Sequence, residues 1–200
     1  MNNYGLNLGI HYAYKDFDGK IGMGLIRNIA DSNGMQGVFG DSANSEKLRH
    51  VVPGINANFN FTWKSWNLIG EYNQGLRSFD VRDAAFSSNG ITFKGARPQA
   101  MDVELAYSFN TLNRPSSLAL SYSRSWESLG FNVPKERITL TWACYIFRGN
   151  LLSLEFNSDK LYDTKNRASG NIAPGNPYFI HPKNLGHRDY SFGVDYLFYF

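Results

Sequence analysis

The last eleven residues, Tyr190-Ser191-Phe192-Gly193-Val194-Asp195-Tyr196-Leu197-Phe198-Tyr199-Phe200, decide the fold. A strand sends alternate side chains to opposite faces. Tyr190, Phe192, Val194, Tyr196, Phe198 and Phe200 then form one unbroken apolar stripe, with Ser191, Gly193, Asp195, Leu197 and Tyr199 on the other side. Working backwards, the same period of two recurs in eight more segments. They are Tyr4–Tyr14, about Lys20–Ala30, Ile55–Trp63, Trp66–Asn73, Ala100–Phe109, Ser117–Trp126, Arg137–Ile146 and Leu152–Asp159. In each, one face is aliphatic and aromatic. The other is rich in Asn, Ser, Thr, Asp and Glu, as in Asn56, Asn58 and Asn60 of the third segment.

The segments have about the length that a tilted strand needs to cross a bilayer, and exceed the roughly five or six residues usual in soluble sheets. Tyr and Trp gather near their ends, where interfacial girdles sit. The closing stripe resembles the last strand of a bacterial outer-membrane β-barrel, whose terminal aromatics serve as a sorting signal for the barrel assembly machinery. In that resemblance Tyr196, Phe198 and Phe200 carry the signal. The expected fold is thus all-β, an antiparallel transmembrane β-barrel forming one domain over residues 1–200, in the outer membrane of a Gram-negative bacterium.

Composition agrees. Charged residues make up 18% and aromatic residues 16% of the 200 residues, and 19 are Gly. Mean hydropathy is −0.37, as expected where lipid-facing and lumen-facing residues alternate and cancel. No apolar run approaches the roughly 20 residues of a membrane helix. The net charge of +3 comes from scattered basic residues, so nucleic acid is not an expected partner. Cys144 is the one cysteine, which excludes an internal disulfide and a multi-cysteine metal site.

Connections alternate in length. Asp16–Gly19, Lys64–Ser65, Thr111–Pro115 and Arg148–Asn150 are short; Asp31–Leu48, Ser78–Ala96, Glu127–Lys135 and Asp163–Arg188 are long. Outer-membrane barrels have short periplasmic turns and longer external loops, so every long connection is assigned outside. Nine segments is an odd number, whereas bacterial single-chain barrels have even counts. Met1 also leads straight into a strand pattern rather than a signal peptide. The expectation is therefore that these are the C-terminal nine strands of a larger barrel.

The polar faces place His11, Asn56, Asn58, Asn60, Glu71, Arg77, Asp102, Glu104, Arg137, Glu155, Asp159 and Asp195, with Lys15, along a lumen. Charges across a pore select solutes; equally, they can be salt bridges that brace or plug it. Asp102 with Glu104 and Glu155 with Asp159 weight the wall weakly towards cations. Arg27 and Arg124 interrupt apolar faces near the outer end. Either they snorkel to outer-leaflet lipid and pair with lipopolysaccharide phosphates, or a β-bulge turns them inward. The four histidines show no metal spacing, and no cofactor is expected. Gly-x-Ser-x-Gly is absent, and His11 finds no acid on the expected second strand, so an enzyme is disfavoured.

One stretch sharpens the expectation. Val133-Pro134-Lys135-Glu136-Arg137 opens a strand, and Leu154-Glu155-Phe156 runs through Asp159-Lys160 to Tyr162 before the last loop and closing strand. From Val133 to Phe200 this resembles the C-terminal region of LbtU-family siderophore porins. The resemblance implies a roughly 16-stranded barrel, with about seven strands outside this sequence. It also implies passive uptake of an iron siderophore or other small solute, with Glu155, Asp159 and Lys160 at the lumen or mouth. Two other readings stay open: a sealed structural or adhesive outer-membrane barrel, and a soluble ligand-binding β-barrel.

Overall fold

The computed structural model describes residues 3–32, 35, 48, 50–147, 149–170, 179–180 and 186–198. The described residues form an all-β fold with short 3-10 turns. Long strands β1 (Gly5–Tyr14), β2 (Phe17–Ile26), β3 (Gly54–Trp63) and β4 (Trp66–Gly75) form antiparallel hairpins. Short strands β5 (Ala84–Ser87) and β6 (Lys94–Gly95) follow, then long β7 (Gln99–Thr111), β8 (Arg114–Trp126), β9 (Glu136–Phe147) and β10 (Asn150–Lys160). Short β11 (Arg167–Gly170) and β12 (Phe179–Ile180) precede the long closing strand β13 (Arg188–Phe198). The nine long strands make one antiparallel sheet in the order β1-β2-β3-β4-β7-β8-β9-β10-β13. Each long strand thus pairs with the next in sequence, and β1 and β13 are the edges.

Register keeps the two faces separate across the sheet, with one shift between Asn150 and Leu151. The row Leu8, Met23, Ala57, Tyr72, Met101 is apolar, and so is Tyr107, Leu118, Trp142, Leu154, Val194. Nothing covers this face among the described residues: Leu8 is 64%, Ile10 75%, Leu120 53% and Phe192 67% exposed.

The turn Lys64–Ser65 is as the sequence reading set it, but two other hairpin turns are tighter. The first occupies Lys15–Asp16, because Lys15 accepts a positive φ of 51°. β2 therefore starts at Phe17 rather than at Lys20, and Lys15 lies in the turn instead of along a lumen. The third closes on Leu112 and Asn113, both at positive φ, the backbone of a two-residue hairpin turn. At the other end of β2 the strand stops at Ile26. Asn28 caps the 3-10 turn Ile29–Asp31 and accepts hydrogen bonds from the backbone of Ala30 and Val52. Ile29 is thus not on the outward face.

Two of the long connections expected as external loops carry a second sheet. Its order is β12-β11-β5-β6, and it joins the connection after β4 to the one before β13. Here lies the molecule's buried core: Val52, Phe79, Ala84, Phe86, Ala96, Leu129, Tyr162 and Ala168, with Ile29 and Phe131 against them. Small residues at Ala84, Ala85 and Ala168 let the short strands pack closely. We call this unit the cap. Tyr162 fixes it to the wall: its hydroxyl hydrogen-bonds Ser125 Oγ at 2.8 Å and accepts from the Ser128 backbone at 3.1 Å. Burial pushes the Tyr162 phenol above its ordinary range.

Candidate functional site

The polar wall is a set of cross-strand rows. One runs Gly22, Asn58, Glu71, Asp102, Ser123, Arg137, Asp159, Asp189 across eight strands. His11, Asn56, Asn60, Glu104, Glu155 and Asp195 fall on the same face by register. Arg77 does not: β4 ends at Gly75, and Arg77 stands in the following bend, because the chain turns there to meet Pro98 and Pro53.

Hydrogen bonds tie some of these residues together. Asn56 Nδ2 donates to Glu71 Oε1 at 2.9 Å and to Asn73 Oδ1 at 2.8 Å, and Asn58 donates to Asn56 at 2.7 Å. Asn67 links Asn60 and Thr62. Arg137 grips Asp159 through Nε and Nη2, both at 2.6 Å, a bidentate geometry that orients both groups. Thr139, Asn157 and Glu155 continue that chain, and Ser123 donates to Asp102. The carboxylates of Glu104 and Asp195 have no hydrogen bond or ion pair among the described residues.

His11 does face an acid. Its Nε2 lies 2.6 Å from Asp18 Oδ2, because β2 begins three residues earlier than expected and brings Asp18 onto the wall. No Ser or Cys stands directly across from either residue: Lys20 lies opposite His11, and Ala13 and Thr62 opposite Asp18.

Charge on this wall opposes that of the chain. Asp18, Glu71, Asp102, Glu104, Glu155, Asp159, Asp189 and Asp195 share it with the cations Lys20 and Arg137. The other basic side chains of the long strands go to the opposite face. Along its long-connection margin the row Arg124, Glu136, Lys160, Arg188 crosses β8, β9, β10 and β13. Register is unbroken from Ser116 to Arg124, so no bulge turns Arg124 inward. Its guanidinium lies 5.0 Å from the Trp126 ring centroid, and its buried Nε has no hydrogen-bond partner among the described residues. Arg27 follows the end of β2; its backbone donates to Tyr4 O and its guanidinium lies 5.4 Å from the Tyr4 ring centroid. The opposite margin carries the aromatic row Tyr14, Phe17, Trp63, Trp66, Tyr107. Trp66 and Tyr107 meet at 4.6 Å between centroids. Tyr196 and Phe198 stand at that same margin on β13, ring against ring at 4.6 Å; Phe200 lies outside the described residues.

Where the cap overhangs the wall there is a pocket of about 520 Å³. Its floor includes Asn7, Gly24, Asn56, Asn73 and Ala100, and its roof includes Ile29, Pro98, Phe131 and Val133. Glycine keeps it open. A Cβ on Gly54 would come within 2.4 Å of Ile29 Cγ2, and one on Gly24 within 2.6 Å of Asn7 Oδ1. Sequence reading missed this pocket, because its roof comes from connections with no periodicity. No group of His, Cys, Asp and Glu among the described residues is arranged to hold a metal ion.

Three curated proteins give this arrangement its relatives. A UPF0422 protein of Coxiella burnetii (strain RSA 493 / Nine Mile phase I) is 32% identical over 174 residues, covering 86% of this chain and 36% of that protein. UPF0422 protein lpp3030 of Legionella pneumophila (strain Paris) is 31% identical over 182 residues, covering 86% and 33%. UPF0422 protein lpl2888 of Legionella pneumophila (strain Lens) is 31% identical over 193 residues, covering 91% and 35%. No family model and no solved structure matches. The chain is similar to these UPF0422 proteins and spans about a third of their length.

Proposed function

We propose that the nine-stranded sheet is part of the wall of an outer-membrane β-barrel that passes small solutes passively. The observation that carries this reading is the uncovered apolar face, bounded by an aromatic row on the short-turn margin and by Arg124, Glu136, Lys160 and Arg188 on the other. A soluble sheet would bury that face. A bilayer supplies hydrocarbon for its middle, an interface for its aromatics and phosphates for its basic margin. Arg27 and Arg124 then meet lipopolysaccharide phosphates. The edges β1 and β13 need partners, since an unpaired backbone group in hydrocarbon costs several kcal/mol. Further strands close the barrel in this reading.

The polar wall fits a water-filled path better than a solid plug. Asn56, Asn58, Glu71, Arg137 and Asp159 are hydrogen-bonded along the wall and still reach solvent. The resemblance of Val133–Phe200 to siderophore porins makes an iron siderophore the first solute to try. The test is conductance: native protein extracted from cell envelopes, reconstituted in a planar bilayer, should give discrete steps that scale with salt. A silent bilayer with correctly inserted protein would favour a sealed structural barrel. Recovery of the folded protein in the detergent-free soluble fraction would sink the membrane reading.

A further inference from the structure

We infer that the pocket beneath the cap is a binding site for an uncharged small molecule with a flat apolar body and a polar edge. This goes beyond passive conduction, which requires no binding site. The first observation is electrostatic. None of the described residues lining the pocket is ionisable. The adjoining recess on the same wall is lined by Glu71, Asp102 and Arg137. A charged ligand would find no counter-ion in the pocket and would lose its hydration there, which is costly.

The second observation is the division of the lining. Ile29, Phe131 and Val133 make an apolar roof, while the floor presents amides. Asn56 and Asn73 are already bonded to each other, but the Asn7 side-chain amide has no hydrogen bond among the described residues. One free amide beneath an apolar roof selects a molecule that stacks upward and hydrogen-bonds downward. A volume of about 520 Å³ lies within the range of small-molecule pockets. The third observation is the glycine floor. Gly24 and Gly54 hold backbone where a side chain would meet Asn7 or Ile29, so the space depends on particular residues of the wall.

The test uses two fluorophores sharing one ring system. N-phenyl-1-naphthylamine is neutral, and 8-anilino-1-naphthalenesulfonate adds a sulfonate. With native protein in lipid nanodiscs, the neutral probe should bind saturably, and its charged relative at least about tenfold more weakly, or about 1.4 kcal/mol. Ala100→Trp fills the pocket from the wall, and Val133→Trp, at an exposed cap position, fills it from the roof. Each should weaken the neutral probe at least about tenfold while strand circular dichroism stays unchanged. If Ala100→Trp fails to insert, Val133→Trp decides alone. Equal binding of both probes, or unchanged binding in a folded variant, would overturn the inference.

Discussion

The wall and the cap solve the same problem in opposite ways. The cap is built like a small soluble protein, with Val52, Leu129, Tyr162 and Ala168 almost fully buried. The wall has no such core. Its aliphatic side chains lie mostly on the open face, and its polar face is held by Asn–Asn, Asn–Glu and Arg–Asp contacts. Apolar area removed from water stabilises the cap wherever it is placed. The wall gains comparable stabilisation only if something apolar is supplied to it. The difference teaches that the molecule's stability is partly a property of its surroundings, and it can be tested by damaging each region in turn.

The largest effect is expected in the cap. Leu129 is 2% exposed, and Leu129→Ala should cost about 2–5 kcal/mol as a cavity opens among its neighbours. The loss should be local. Hydrogen exchange should quicken in the amides of β5 and β11, while those of β3 and β8 keep their protection. Uniform loss across both regions would mean that cap and wall unfold as one unit and that the contrast is false.

A charge on the outer face comes next. Leu120 is 53% exposed between Leu105 and Leu140. At a water-facing site Leu120→Arg would change stability by no more than about 0.5 kcal/mol. On the lipid face near the midplane it should cost about 2–4 kcal/mol. Urea titration of protein folded into vesicles measures the difference. A negligible change would remove the strongest support for the membrane reading.

How much of this was legible in the sequence follows from the same contrast. Wall strands announce themselves because each residue's face depends only on its neighbours two places away, so all nine long strands and their polar faces could be read directly. Strand ends were less legible. Lys15 in a positive-φ turn gives no Gly or Pro signal, so β2 was started late and the His11–Asp18 contact was missed. Arg77 was carried past the true end of β4 because the bend after Gly75 is set by backbone contacts with Pro98 and Pro53, far away in sequence. The cap was invisible: β11 pairs with β5 about 80 residues away in sequence, and strands of two to four residues are too short to show a period. Conductance and solute lie beyond what either periodicity or register encodes.

A smaller effect sharpens the contrast between the acidic wall and the uncharged pocket. Asp102 and Glu104 lie two residues apart on one face, with Glu71 directly across from Asp102. If the wall conducts, it should prefer cations, and the double change Asp102→Asn with Glu104→Gln should move the reversal potential under a salt gradient towards zero. Each carboxylate contributes on the order of 1 kcal/mol to a nearby cation in water, so the shift is a matter of millivolts. Binding of the neutral fluorophore should not change. An anion preference in the unaltered protein would break the link between wall charge and selectivity.

The smallest effect is a pH dependence confined to the cap. The Arg82 guanidinium and backbone both hydrogen-bond Asp80 and hold its carboxyl well down, to about 2 from 3.8. A carboxylate whose folded pKa is depressed stabilises the fold fully above its unfolded value and loses that contribution as pH falls through the folded one. Cap protection at Phe79–Ala96 should therefore weaken between about pH 4 and pH 2. Asp80→Asn should start less protected and lack this part of the decline. Because the pair lies at the surface, with Arg82 exposed, it is screened and the difference should be small. The β2 and β3 amides should show no matching dependence on residue 80, since its contacts lie within the cap. If the substitution altered their acid sensitivity equally, the two regions would share one electrostatic network, and the separation argued from burial would fail on charge.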